Sequence, residues 1–218
     1  VFSSRHMDDD AAKKILLDNV KGDLLSEPRK ISFTPGRRRK AWNKNCIAIG
    51  LSSGFLEPLE STSIALVETA IEKIKMLFPD KSFNPALIEE FNEITLEEYE
   101  RVRDFIILHY KLSERTDSNF WRECNAMEVP DSLRKKMEIF KARGHFIRYR
   151  WEMFQTPSWL AVYTGFNYLP DDYDIAVDTF NEDYLKESFL QMRQSIQALV
   201  DDSLTHEEFI AQFCAVEK

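Results

Sequence analysis

Apolar residues recur at three- and four-residue steps through Ile64, Val67, Ile71, Ile74 and Phe78, which predicts a helix with one buried stripe. Just upstream, Cys46, Ile47, Ala48 and Ile49 form a short apolar run that ends at Gly50 and reads as a buried strand. Between the two, residues 51–60 hold Gly54, Pro58, Glu57 and Glu60, and Ser61, Thr62 and Ser63 stand where an N-cap belongs. Residues 45–78 therefore read as strand, glycine-bearing loop and helix start.

The flanking chain is patterned less evenly. Residues 1–4 read as the tail of a strand, so the chain is expected to begin inside a fold. Asp8 to Asp10 can cap a helix that buries Ala11, Ile15, Leu16 and Val20 and stops at Gly22. Residues 30–33 and 41–43 bracket Thr34, Pro35 and Gly36, which predicts a two-stranded hairpin. From Asn84 and Pro85 onward the pattern is almost continuously helical, through Leu87, Phe91, Ile94, Val102, Phe105, Ile106 and His109, as one long helix or as two with a break near Thr95.

Asp117 or Ser118 opens a short helix with Trp121; Pro130 and Asp131 open another that Gly144 closes. Residues 145–151 read as strand or loop, Pro157 and Ser158 start an aromatic helix ending near Gly165, and residues 166–178 read as an ordered loop. A long helix from Asn181 carries Leu185, Phe189, Met192, Ile196 and Leu199, and Thr205 caps a terminal one. The fold class is α/β, or α+β within this portion, with a strand-bearing part at 1–79 and a helical part at 80–218. So few strands imply a sheet that is completed elsewhere.

Composition narrows the functional classes. A length of 218 residues with 44% hydrophobic and 12% aromatic residues is ample for a core. The net charge of −8 argues against a general nucleic-acid binder, and Arg37, Arg38, Arg39 and Lys40 read as a solvated patch, with cofactor phosphate contact as the lesser alternative. Three scattered cysteines without CxxC spacing fit free thiols in a reducing compartment; no apolar run has the length of a membrane span, and the expected location is the cytoplasm. The four histidines show no metal-ligand spacing, and no metal is expected. Glu97 and Glu98 read as a wet helix face. Trp121, Trp151, Trp159, Phe166 and Tyr168 read by default as core.

The loop at 45–63 carries the candidate chemistry. The first N–H groups of a helix lack intrahelical partners and sit at the positive end of its dipole, so a phosphate or a halide would be held there. Glu60, a carboxylate just before the cap, is favourable for that same electrostatic reason. A capped core helix and an anion site both fit the residues taken alone.

The runs from Trp42 to Cys46 and from Gly50 through Ser52, Ser53, Gly54, Phe55, Leu56, Glu57, Pro58, Leu59, Glu60, Ser61, Thr62 and Ser63 to Ile64 resemble the C-terminal signature of the flavin-dependent tryptophan halogenases. Residues 1–5, 36–42, 99–110, 120–122 and 157–161 are also similar to that family. The resemblance spans essentially the whole chain but only the C-terminal part of the family's usual length. The family's GxGxxG fingerprint, its Trp-x-Trp-x-Ile-Pro motif and its catalytic lysine have no counterpart here.

That resemblance implies part of an FAD-binding, flavin-monooxygenase-like module followed by a helical substrate-binding region. In the family, reduced FAD from a separate flavin reductase reacts with O2 to give a flavin hydroperoxide, chloride or bromide attacks it to form hypohalous acid, and this halogenates tryptophan or another indole. By motif position Glu60 is the catalytic glutamate, the N–H groups of Thr62 and Ser63 take the halide, and Gly50, Leu51, Ser52, Ser53 and Ile64 lie beside the flavin. Ser63 stands where the family often has glycine. Glu57 is expected to be a structural carboxylate facing the loop backbone. One or two rings should hold the aromatic substrate, and Trp159 and Phe166 flank a suitable helix and loop. The alternative to an enzyme is a non-catalytic helical binding or scaffold fragment; in either case this portion alone is expected to be inactive.

Overall fold

The computed structural model describes residues 1–215. Its elements are α1 (Asp9–Asn19), β1 (Gly36–Arg37), β2 (Trp42–Asn43), β3 (Cys46–Ile47), β4 (Gly54–Phe55), α2 (Ser63–Met76), α3 (Pro85–Lys111), α4 (Asn119–Ala126), α5 (Asp131–Arg143), α6 (Thr156–Gly165), α7 (Glu182–Asp201) and α8 (His206–Phe209). Packing divides the chain into two compact units, Val1–Asp172 and Tyr173–Lys218.

The central element of the first unit is α3, a single helix of 27 residues and about 40 Å without a break at Thr95. Asn84 caps it through Ala86 N–H, and Pro85 occupies the first turn, where a missing donor costs nothing. Phe105 and Leu108 join Leu133, Met137 and Phe140 of α5 and Trp159 and Tyr163 of α6 in one core. Tyr99, Val102 and Ile106 pack with Leu66 of α2 in a second, and Phe91 meets Ala41 and Trp42 in a third. The two sides of Pro79 therefore share their buried side chains. Gly144 closes α5 in the left-handed conformation at φ 74°, as its sequence position predicts.

The strands are shorter than the pattern predicts. Residues 1–4 and 30–33 form no strand, and the hairpin lies later: Trp42 pairs with Ile47 and Asn43 with Cys46, around a turn in which Lys44 has φ 57°. Gly36 and Arg37 pair instead with Phe55 and Gly54, because a Cβ at Gly54 would lie 2.8 Å from the Gly36 carbonyl and only glycine permits that approach. The apolar run at 46–49 is likewise no buried strand, since Cys46 is exposed and Ile47 only half-buried.

Two predicted helical stripes are not the buried ones. In α2 the buried residues are Leu66, Ala70 and Lys73, whereas Ile64, and Phe78 just beyond the helix end, are largely exposed. The helix has two apolar faces, and the one that meets α3 is chosen by Lys73, which finds Glu98 there. α1 buries no residue, and Ile15, Leu16 and Val20 lie on its open side.

The second unit contains α7, capped by Asn181, and α8, whose Thr205 and Glu208 form a reciprocal capping box. Phe189, Met192, Ile196 and Leu199 of α7 are exposed. Among the described residues no helix is long and apolar enough to cross a membrane.

Candidate functional site

One face of α3 holds the loop that precedes α2. Asn92 accepts from Trp42 N–H at 2.9 Å and donates to the Trp42 carbonyl at 2.9 Å, gripping the backbone as a strand partner would. Two turns on, the Tyr99 hydroxyl donates to the Gly54 carbonyl at 3.3 Å, and burial holds its pKa above the usual phenol value. Near the end of α3, the Tyr110 hydroxyl donates to both Glu57 oxygens at 2.9 Å, and His109 Nε2 lies 3.0 Å from a Glu60 carboxylate oxygen. Burial first, then its Glu57 partner, raises the Tyr110 pKa, so the hydroxyl stays a donor. Glu57 thus faces a side chain of α3 and not the loop backbone.

The loop is bent where the chemistry is expected. Glu60 and Ser61 are consecutive non-glycine residues in the left-handed region, at φ 67° and 50°, and strain of this kind gathers at functional sites. The kink turns the Glu60 carboxylate back toward His109, where it keeps 32% of its side-chain surface. Thr62 occupies the N-cap position but makes no side-chain capping bond, and its backbone is already helical at φ −74°. The three hydroxyls therefore do not cap α2, and the N–H groups of its first turn remain available. Thr62 is buried at 5% exposure, between the exposed Ser61 and the half-buried Ser63.

The remaining candidates divide into two groups. Gly50, at φ 57°, begins a 3-10 turn over Gly50–Ser52 and lies against Val67 of α2. Leu51 and Ile64 present largely exposed side chains, 74% and 75%, on either side of the loop. Ser52 is turned onto its own loop: its hydroxyl donates to the Ile49 carbonyl, and its carbonyl accepts from Arg38 Nε at 2.6 Å. Ser53 is buried, and its backbone carbonyl accepts from Arg38 N–H. Arg38 is thus a loop anchor within an otherwise exposed basic patch.

Phe166 and Trp159 are placed differently. The Phe166 ring meets the His109 ring edge-on at 6.5 Å, which puts it one residue away from Glu60. Trp159 lies in the core at 3% exposure, its indole N–H bonded to the Phe154 carbonyl and its ring under Lys136 Nζ at 4.4 Å. Among the described residues no group of three or more metal-ligating side chains forms.

His109 and Tyr110 are the site residues that sequence reasoning missed. His109 reads there as a member of a helical face and Tyr110 only as the end of the stretch 99–110, and no local spacing connects either with a loop so distant along the chain. The assembly sets a helix start without a side-chain cap beside a partly exposed carboxylate that His109 contacts.

A family profile described as tryptophan halogenase matches residues 1–182. Tryptophan 7-halogenase RebH of Lentzea aerocolonigenes is 39% identical over 143 residues, which cover 65% of this chain and 27% of that protein. Among solved structures, BrvH, a flavin-dependent halogenase from Brevundimonas sp. BAL3, superimposes with a TM-score of 0.91 at 57% identity over 97% of this chain and 43% of its own. Xcc4156, a flavin-dependent halogenase from Xanthomonas campestris, gives 0.94 at 38% identity over 99% and 44%. The chain thus spans less than half the length of these relatives.

Proposed function

The chain belongs to the tryptophan halogenase family, and from that membership we propose that it supplies the halide loop and helical substrate region of a flavin-dependent enzyme that chlorinates or brominates tryptophan or a free indole. The observation that carries the reading is the pairing of Glu60, fixed by His109, with an uncapped helix start directly after it.

Residues 1–79 are then the C-terminal part of an FAD-binding module, and residues 80–218 the helical substrate-binding region. The exposed Leu51 and Ile64 side chains, flanking a loop locked by Arg38 and Tyr99, suit the apolar face of a flavin ring. Gly50, Leu51, Ser52, Ser53 and Ile64 would hold it, with Ser53 anchoring the loop from inside. Reduced FAD, delivered by a separate flavin reductase, supplies oxidised halogen as hypohalous acid from O2 and halide.

The tasks assigned to this chain fall to its halide loop and to the aromatic side chain beside Glu60. The N–H groups of Thr62 and Ser63 bind the halide without a basic side chain that an oxidant would consume. Glu60 stabilises the positive charge that develops on the substituted ring and takes its proton. Phe166 offers its half-buried ring to the substrate, and Trp159, buried in the core, is the lesser candidate. The three free cysteines fit action in the reducing cytoplasm.

A GxGxxG loop and the family's lysine are not among these 218 residues, so activity is assigned to a protein that joins this portion to them. Flavin titration with halide-dependent product analysis tests this, run on residues 1–218 and on the joined protein. The expected result is flavin binding and halogenated indole from the joined protein alone. Halogenation by residues 1–218, or none by the joined protein, would overturn the assignment, and the second result would favour a scaffold role.

A further inference from the structure

His109 Nδ1 lies 2.8 Å from the Phe105 carbonyl oxygen, one turn back along α3. A carbonyl oxygen only accepts, so Nδ1 carries a proton whenever that contact holds. On the other side of the ring, Nε2 stands 3.0 Å from one Glu60 oxygen. A bare Nε2 and an ionised carboxylate are both acceptors and would repel at that distance, so one proton must lie between them. Of its two owners an imidazole is by nature a stronger base than a carboxylate.

We propose that His109 is the positioning residue for Glu60: an imidazolium that holds one carboxylate oxygen through a single proton and leaves the other free to take the proton of the substrate ring. This rests on the halogenation reading above. In that step the C–H bond at the substituted carbon breaks, its electron pair returns to the ring, and the proton passes to the free Glu60 oxygen. His109 keeps its own proton throughout. Its contribution is to fix the direction of the carboxylate.

The contact is largely enclosed by aromatic rings, so its geometry has few competing partners. The rings of Phe105, at 4.9 Å, and Phe166, at 6.5 Å, both stand edge-on to the imidazole, and 16% of the His109 side chain meets solvent. Of the other titratable groups in this region, Glu57 is occupied by the Tyr110 hydroxyl. Cys124 of α4 has its pKa raised by burial, then by Glu123 and Glu57, and stays neutral. Glu60 is therefore the anion that the imidazole meets.

Histidine labelled with 15N and read by long-range 1H–15N correlation near pH 6.5 reports both ring nitrogens, with His109→Gln identifying the signal. The expected result is two proton-bearing nitrogens in the unaltered protein. In Glu60→Gln, Nδ1 should stay protonated while Nε2 shifts toward the bare-nitrogen range. Glu60→Ala should give the same change and serves if the glutamine variant does not fold. An Nε2 signal that neither variant moves, or a bare Nδ1 in the unaltered protein, would overturn the proposal. The measurement needs no flavin, halide or substrate. A joined protein that halogenates with an Nε2 signal indifferent to Glu60 sinks this inference alone, and one that shows the shift without halogenating sinks the functional reading alone.

Discussion

Lys73 of α2 and Glu98 of α3 form an ion pair buried on both sides, with 2% and 4% of their side-chain surfaces exposed, and the Trp151 ring lies 5.7 Å from the ammonium. It fixes the rotation of α2 against α3, and with it the direction in which the helix start leaves the loop. Removing one partner strands a buried charge, so Lys73→Met should cost about 3–5 kcal/mol. The double variant Lys73→Met, Glu98→Leu should recover most of that loss, because apolar pairs of similar volume replace buried ion pairs well. Urea denaturation of the two single variants and the double variant supplies the cycle.

Ser61 sits at φ 50° next to Glu60 at 67°. Glycine adopts that conformation without a Cβ penalty, so Ser61→Gly should raise stability by about 1 kcal/mol. Thermal unfolding checks this. No change in melting temperature would mean that the left-handed kink stores no strain at Ser61.

Asn92 makes two hydrogen bonds to the Trp42 backbone. Asn92→Ala should destabilise by about 2 kcal/mol, and Asn92→Asp should lose part of this, because a carboxylate still accepts from Trp42 N–H but cannot donate to its carbonyl. Amide exchange at Trp42 should be faster in the alanine variant than in the aspartate one.

Much of the helical architecture was legible because it is written locally. Asn84 with Pro85, Ser118, Asn181, Thr205 and Gly144 mark boundaries that the structure uses. What was not legible depends on partners far along the chain. Glu98 reads as part of a wet face beside Glu97, yet it is 3% exposed because Lys73 arrives from another helix. The stripe of Ile64, Val67 and Ile71 has the right period but the wrong orientation, since periodicity shows that a face is apolar and not which neighbour covers it. The loop was found through its motif; the His109 that fixes Glu60 was not.

Tyr163 is 1% exposed, and its hydroxyl is buried without a protein partner. Burial raises its pKa above the usual phenol value, as it does for Tyr110. The folded state thus holds a proton that the unfolded chain releases above about pH 10, so stability falls as pH rises through that range and is unaffected by this group below it. Tyr163→Phe should gain about 1 kcal/mol at neutral pH and flatten the alkaline decline. Unfolding followed at pH 7 and above pH 10 tests both effects.

The central claim is that Glu60 is the proton-accepting carboxylate of a halogenation site. Its most direct test is the rate of indole halogenation by the joined protein carrying Glu60→Gln, measured beside its affinity for FAD. Turnover should fall by about 100-fold or more, the range typical for loss of a positioned base, while flavin binding is retained. Unchanged turnover with intact flavin binding would contradict the assignment.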